Sequence, residues 1–203
     1  MSMIIRLARG DDAPAIAAIY APYVSETPIS FELVPPTGGE MANRIAKTLT
    51  RYPWLVAEIA DAVVGYAYAS QHRERAAYQW AADVSVYLHK DQHGRGIGRA
   101  LYTALFAMLR AQGFINVYAG IALPNAASVA LHEAMGMSPV GVYRRVGYKM
   151  GAWHDVGWWQ GLLREPAANS PKPPRPLQEF AASGVWDAWL RSGETPRPDL
   201  ARP

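Results

Sequence analysis

The sequence has no cysteine and no long apolar run. The absence of cysteine excludes disulfides, thiol nucleophiles and zinc or iron–sulfur sites with cysteine ligands, and it suits a reducing compartment. No apolar stretch approaches the roughly 20 residues that cross a bilayer, and the amino-terminal residues lack the apolar core of a signal peptide. We therefore expect a cytoplasmic chain that does not bind membranes.

An excess of charge of one sign is also lacking. The formal net charge is +3 over 203 residues, and the basic residues are scattered, so the charge does not indicate a nucleic-acid partner. A small positive balance does suit a polyanionic small molecule. Half of the residues are hydrophobic and 18% are charged, which is typical of a globular chain whose core needs no metal or disulfide.

Hydrophobic periodicity predicts alternating strands and helices without a strict βαβ repeat. Strands are predicted at 4–8, 54–60, 63–70, 80–88, 114–121, 140–150 and 155–163. Helices are predicted around 14–23, at 40–50, after the glycine-rich segment near 97–109, and at 125–135. We expect Asp11 and Asp12 to supply capping side chains for the first helix. The pattern predicts a mixed α/β or α+β sheet.

The composition changes after Arg164. We divide the chain into a domain at 1–164 and, at 165–203, a proline-rich linker followed by an amphipathic segment. That segment carries two tryptophans, which would form an exposed apolar patch if it floated free. We expect residues 180–190 to pack on the domain or on a second subunit, with Ser183 capping a short helix.

A glycine-rich segment between a predicted strand and a predicted helix is the strongest local signal. Gly94, Gly96 and Gly98 let the backbone turn freely and approach a ligand closely. The N–H groups at the start of the next helix suit phosphate oxygens, and the charge of Arg95 and Arg99, with His93, would add to such a site. The segment lacks the Gly-Lys-Ser/Thr end of a P-loop and the position and spacing of a dinucleotide fingerprint. A tight turn without a ligand stays open at this point.

The motifs around this loop resemble the GNAT superfamily of N-acetyltransferases. Val86-Tyr87-Leu88 followed by Gln92-His93-Gly94-Arg95-Gly96-Ile97-Gly98 is similar to the family's acyl-CoA signature Q/R-x-x-G-x-G/A. The resemblance implies that the strand backbone pairs with the pantetheine arm and that the loop amides hold the pyrophosphate of acetyl-CoA. Gly96 and Gly98 fill the two small positions. His93 stands where the family prefers glutamine or arginine, and Gln92 lies one residue too early.

Further stretches narrow the resemblance to the phosphinothricin and methionine sulfoximine acetyltransferases. They lie at 51–58, 131–134, 146–149 and 153–157. Asn125 and Ser128 are similar to the family's N-x-x-S element, which implies that both reach the cofactor. The resemblance covers roughly 3–164, and it implies a central, mostly antiparallel mixed sheet flanked by helices.

Three residues are candidates for proton transfer, because an ammonium must lose a proton before it attacks a thioester. Asp83 stands where the resembling enzymes usually carry a glutamate base, and it would act directly or through water; a structural carboxylate is the alternative. His132 lies in the Leu-His-Glu stretch where many relatives carry a tyrosine acid, and a packed histidine is the alternative. Tyr102 matches a tyrosine of the branch, although a core position suits it better.

The acceptor side is predicted from two loops. Arg73 and Arg75 precede Tyr78, and a guanidinium would hold the carboxylate or phosphinate of an amino-acid-like amine. Phe31 and Glu32 lie in the loop that lines the acceptor pocket in this family, but the branch's arginine is missing there, which weakens the case for phosphinothricin itself.

Rival functions remain within and outside the class. The acceptor would otherwise be a protein amino terminus, a polyamine or an aminoglycoside, although the arginines near 73–75 argue against cationic acceptors. A non-catalytic acyl-CoA sensor is the alternative from another class. No metal is expected, and a homodimer is possible because members of the family often dimerise.

Overall fold

The computed structural model describes residues 3–166 and 171–181, with side chains as far as Glu179. The strands are β1 (Met3–Leu7), β2 (Trp54–Ile59), β3 (Ala62–Gln71), β4 (Ala81–Leu88), β5 (Asn116–Leu123), β6 (Ser138–Lys149) and β7 (Ala152–Leu162). The helices are α1 (Ala13–Ser25), α2 (Gly38–Leu49), α3 (Ile97–Gln112), α4 (Ala126–Ala134) and the short α5 (Leu177–Ala181). Short 3-10 turns lie at Gly10–Asp12, Ala76–Tyr78 and Lys90–Gln92.

One seven-stranded sheet forms the centre of the molecule, in the order β1-β2-β3-β4-β5-β7-β6. Every neighbouring pair is antiparallel except β4 and β5. The prediction of a mixed, mostly antiparallel sheet flanked by helices is therefore confirmed.

The parallel contact between β4 and β5 is short. Only Ala81, Ala82 and Asp83 of β4 pair with β5, where Asn116–Tyr118 face them. Beyond Asp83, the β5 side of β4 has no partner strand among the described residues. The two central strands therefore diverge, and Asp83 and Tyr118 mark the closed end of the gap.

The two faces of the sheet pack on different helices, as the alternation of side chains along a strand requires. On one face α3 packs through an apolar stripe, and Leu101, Leu105 and Leu109 have no exposed side-chain area. Val84 belongs to this face. On the other face α1 and α2 cover the sheet through Ile16, Met41 and Ile45 and their neighbours.

Asp12 caps the 3-10 turn that leads into α1, where it takes part in a capping box, and not α1 itself. Its side chain accepts two hydrogen bonds from the Arg6 guanidinium, at 2.7 and 2.8 Å, and one from the Arg9 amide at 2.7 Å. Arg6 also binds Glu58 on β2, so the carboxylate of Asp12 fastens the first strand to the turn that precedes α1. The other predicted elements are present, with ends that differ by at most three residues.

Part of the carboxyl-terminal segment lies against the domain. Leu177 is buried in the core and its amide donates to the carbonyl of Arg51 at 3.1 Å. Gln112 donates from its side chain to the carbonyls of Arg51 and Arg175, both at 2.8 Å. The indole of Trp80 donates to the carbonyl of Lys172 at 3.0 Å. The prediction that 180–190 packs, with Ser183 as a cap, falls outside the described side chains.

Among the described residues, no helix has the length and apolar character needed to cross a membrane. The same part of the chain contains no cluster of histidine and acidic side chains that could hold a metal ion.

Candidate active site

The glycine-rich segment forms the turn that starts α3. Gly94 and Gly96 have φ of +72° and +79°, which side chains rarely tolerate. Gly96 is the amino-terminal cap of α3, and no described residue accepts a hydrogen bond from the amides of Ile97, Gly98 or Arg99. The open helix start can therefore donate to an anion.

Side chains on this turn hold its shape. Tyr23 on α1 donates to the carbonyl of Leu88 at 2.7 Å, so His93 must donate to the Tyr23 oxygen from Nε2, at 2.9 Å. Gln92 accepts from Arg95 at 2.9 Å. The side chain of His93 thus ties the turn to α1, which gives a structural reason for the histidine at this position. Arg99 is exposed, with a long contact of 3.4 Å to the carbonyl of Ala134.

The side chains of the adjoining strand are used in packing. Val86 and Leu88 pack on the α3 side. Tyr87 lies on the opposite face, edge-on to Tyr20 and Tyr23 at centroid distances of 4.9 and 5.1 Å. This part of β4 can therefore bind a ligand through the backbone edge that faces the gap towards β5.

The second predicted cofactor segment begins α4. Asn125 caps the helix by accepting from the amide of Ser128 at 3.2 Å. His132 donates from Nδ1 to the carbonyl of Ser128 at 2.7 Å, so its Nε2 accepts from the Tyr102 hydroxyl at 3.0 Å. His132 is 4% exposed, and this burial lowers its pKa. Tyr102 is fully buried, and burial raises its pKa far above the usual value.

Asp83 lies at the closed end of the gap between β4 and β5, and it is paired with a histidine that sequence reasoning missed. The Nδ1 atom of His72 is 2.6 Å from Oδ1 of Asp83. Burial raises the pKa of Asp83, and the hydrogen bond from His72 opposes that effect. The His72 ring stacks on Tyr118 with centroids 4.2 Å apart.

The predicted acceptor arginines occupy different surroundings. Arg73 lies over the ring of Trp158, 5.7 Å from its centroid, close to the His72–Asp83 pair. Arg75 is exposed and borders a separate cavity of about 240 Å³. Tyr78 borders the same cavity, and its ring stands edge-on to His72 at 6.1 Å.

The loop between α1 and α2 is fastened to the β6–β7 hairpin. The ring of Phe31 covers Gly147, where an added Cβ would lie 2.1 Å from a ring carbon. Glu32 does not face a ligand freely, because it accepts two hydrogen bonds from Arg44, at 2.7 and 2.9 Å, and one from Tyr20 at 3.0 Å. The fixed polar group beside this loop is therefore Arg44 of α2, which Glu32 holds.

A cavity of about 420 Å³ lies under α1 and α2. Its walls include Tyr20, Arg44, Tyr68 and Ser70. Ser70 pairs directly with Asp83 across β3 and β4, so the cavity lies on the same face of the sheet as the His72–Asp83 pair. Its size and its mixture of aromatic and cationic groups suit a small polar molecule.

The structure therefore joins some of the predicted residues and separates others. Asp83 and Arg73 lie together at the closed end of the gap, on the α1–α2 face. His132 and Tyr102 lie among the residues of α3 and α4, on the other face. Tyr102 has no exposed area, so it reaches no ligand directly.

Known proteins resemble this chain over most of its length. Residues 5–158 match the acetyltransferase (GNAT) domain. The chain is 41% identical over 176 residues to a phosphinothricin N-acetyltransferase of Streptomyces viridochromogenes, covering 87% of this chain and 95% of that protein. It is 38% identical to an L-methionine sulfoximine/L-methionine sulfone acetyltransferase of Pseudomonas aeruginosa, covering 84% and 100%.

A solved structure has the same fold. The phosphinothricin acetyltransferase of Sinorhizobium meliloti, crystallised with acetyl-CoA, superimposes with a TM-score of 0.80 at 36% identity, covering 85% of this chain and 94% of that one. The chain belongs to the GNAT family of acetyltransferases, enzymes that use acetyl-CoA. The free amides at the start of α3 and the open edge of β4 fit that cofactor.

Proposed function

We propose that this enzyme acetylates the amine of a small amino-acid-like acceptor of the phosphinothricin or methionine sulfoximine type. The observation that carries the proposal is the position of the Asp83 carboxylate, at the closed end of the gap beside β4 and next to a cavity with cationic walls. The similarity to enzymes named for such acceptors supports the same class.

Acetyl-CoA binds, in this proposal, along β4 and at the start of α3. The edge of Val86-Tyr87-Leu88 pairs with the pantetheine arm, and the turn from 92 to 99 surrounds the pyrophosphate. The free amides of Ile97–Arg99 and the positive end of α3 supply the attraction. Arg95 and Arg99 add charge, while His93 acts through the shape of the turn. Asn125 and Ser128 border the cofactor from α4.

Proton transfer is assigned to the site around Asp83. Bound acetyl-CoA supplies an activated acyl group on a thioester. The residues of the chain must then hold the acceptor nitrogen, take a proton from it and keep bulk water from the thioester. Asp83 and the histidine bonded to it suit this task as a pair, because their side chains are largely withdrawn from solvent and hydrogen-bonded to each other at the closed end of the gap.

His132 is the second proton-transfer candidate, on the cofactor side. Its two ring nitrogens are committed to Ser128 and Tyr102, and its lowered pKa keeps the ring neutral at pH 7. Tyr102 is a positioning residue for that ring. Replacement of His132 should therefore lower kcat and leave the acceptor KM unchanged.

The acceptor pocket supports a substrate with oxygen-rich groups. Arg73 beside Asp83 and Arg44 on α2 are placed to meet a carboxylate and a second polar group. Trp54 lines the cavity, and its buried indole N–H has no acceptor among the described residues. Arg75 and Tyr78 border the neighbouring cavity and would guide entry. Glu32 acts by holding Arg44 in the cavity lining, and Phe31 lies in the same loop.

Thiol release is the direct test. The chain has no cysteine, so a thiol reagent in the assay reports only free CoA. The enzyme should release CoA with L-methionine sulfoximine, L-methionine sulfone or phosphinothricin, and much less with spermidine or a lysine-rich peptide. Release that needs no acceptor, or no release with any acceptor, would refute the proposal, and the second result would favour a sensor.

We propose three further features. The edge strand β6 exposes apolar side chains, among them Val142, Val146 and Tyr148, which supports a homodimer. Light scattering should give twice the chain mass, and Val142→Lys should reduce the measured mass to that of one chain.

The lack of cysteine supports a cytoplasmic location. The boundary at 164/165 separates the acetyltransferase domain from a segment that docks on it through Leu177.

A further inference from the structure

The His72–Asp83 pair has the geometry of a catalytic dyad. Nδ1 of His72 and Oδ1 of Asp83 are 2.6 Å apart, and 11% of the His72 side chain is exposed. The ring stacks on Tyr118 at 13° between planes, and Trp158 stands edge-on at 6.1 Å. The imidazole is therefore held by packing as well as by the carboxylate.

This contact fixes which ring nitrogen carries the proton. A carboxylate is only an acceptor, so Nδ1 must donate to Asp83. In the neutral ring Nε2 is then unprotonated and accepts. No described residue bonds to Nε2 of His72. The pair thus combines an occupied donor nitrogen with a free basic nitrogen beside the closed end of the gap.

The charges around the ring suit a proton acceptor. Asp83 stabilises a positive imidazolium. The nearest cation is Arg73, which lies over Trp158 and acts on Asp83 as well. The neighbouring rings of Tyr118, Tyr78 and Trp158 carry no formal charge at neutral pH. When Nε2 is protonated, the imidazolium therefore lies near one anion, Asp83, and one cation, Arg73.

We propose that His72 accepts the proton of the acceptor amine through Nε2 and that Asp83 is the positioning residue that fixes its tautomer. The assignment rests on the proposed function and deepens it. The amine nitrogen forms a bond to the acyl carbon, the C–S bond breaks, the sulfur leaves with the electron pair as CoA thiolate, and one proton passes from the nitrogen to Nε2. No oxidant or further reactant is needed. The proton then returns to solvent or to the thiolate.

Two matched variants separate this role from a structural one. His72→Asn keeps an amide N–H that can donate to Asp83 but has no basic nitrogen, and His72→Phe keeps the ring stacked on Tyr118. Both should lower kcat by about 10²-fold or more, the usual worth of a general base. Acetyl-CoA affinity by calorimetry and the melting temperature should remain close to wild type for His72→Asn.

The pH profile and chemical rescue complete the test. The wild-type kcat/KM should fall at acid pH as the base becomes protonated, and that limb should disappear in His72→Asn. Added imidazole should restore part of the activity of His72→Ala and none of that of Asp83→Asn. If His72→Asn keeps turnover within about twofold of wild type and the same pH profile, the assignment is overturned.

A spectroscopic measurement tests the His72–Asp83 pair without any acceptor substrate. Nitrogen-15 NMR of the wild type near neutral pH should give a protonated Nδ1 and an unprotonated Nε2 for His72, and Asp83→Ala should abolish that preference. A protonated Nε2 in the wild type would overturn the dyad. A wild type that acetylates no acceptor yet has this tautomer would instead refute the proposed function.

Discussion

Lys149 at the end of β6 reaches the loop between α1 and α2, where its ammonium donates to the carbonyl of Ser30 at 2.6 Å and to that of Val24 at 2.5 Å. Lys149 is 7% exposed. One buried cation therefore joins the hairpin of β6 and β7 to the loop that carries Phe31 and Glu32, and Glu32 in turn holds Arg44, which lines the cavity under α1 and α2.

Lys149→Met should detach this loop. Leaving the two carbonyls without a donor should lower the free energy of unfolding by about 1–3 kcal/mol, and the KM for the acceptor should rise while that for acetyl-CoA stays unchanged. Denaturant titration and steady-state kinetics measure the two effects. Lys172→Met, at an exposed side chain, is the control and should change neither.

Gly147→Ala should displace Phe31. The new Cβ would lie 2.1 Å from a ring carbon, so the ring must turn away from the hairpin. We expect a higher acceptor KM, with little change in acetyl-CoA affinity. Gly141→Ala on the same strand meets no atom within 4 Å, and it should behave as wild type. Equal kinetics for the two variants would show that Phe31 does not shape the acceptor site.

Charge at the start of α3 should oppose acetyl-CoA binding. Gly96→Gln and Gly96→Glu impose the same backbone strain at φ +79°, so their difference reports charge. Calorimetry should give at least about tenfold weaker binding for the glutamate variant, a difference of about 1.4 kcal/mol. This difference in affinity should become smaller as salt is added. Equal affinities would place the pyrophosphate elsewhere.

The folded protein should lose stability as the pH falls below about 6.5 because of His132. Burial lowers the pKa of His132 from 6.5, so the unfolded chain binds more protons than the folded one in the range below that value. The free energy of unfolding then rises with pH there, with a slope of at most about 1.4 kcal/mol per pH unit for one proton.

The matched comparison is His132→Gln, in which this dependence should be weaker. Asp83, whose pKa burial raises, is common to both proteins, so its contribution cancels in the difference. Urea titrations of both proteins between pH 5 and pH 7.5 measure this difference in the pH dependence of the free energy of unfolding. Parallel curves would indicate that His132 is protonated equally in both states.

Sequence reasoning predicted the sheet and the glycine turn, because these depend on local signals: alternation, helix periodicity and a motif of consecutive residues. Its assignment of Asp83 to proton transfer stays a prediction. It missed His72 because a lone histidine after a strand has no periodicity to mark it. Its contact with Asp83 depends on the register that pairs Ser70 with Asp83. Glu32 was expected to meet the acceptor, yet Arg44 on α2 binds it, and no sequence spacing predicts that pairing.

The most direct measurement is CoA release by wild type and Asp83→Asn with L-methionine sulfoximine, phosphinothricin and spermidine under the same conditions. The wild type should turn over one or both amino-acid-like acceptors well ahead of spermidine, and Asp83→Asn should reduce kcat by about 10²-fold or more without weakening acetyl-CoA binding. Equal or faster turnover of spermidine, or an Asp83→Asn enzyme as active as wild type, would contradict the account.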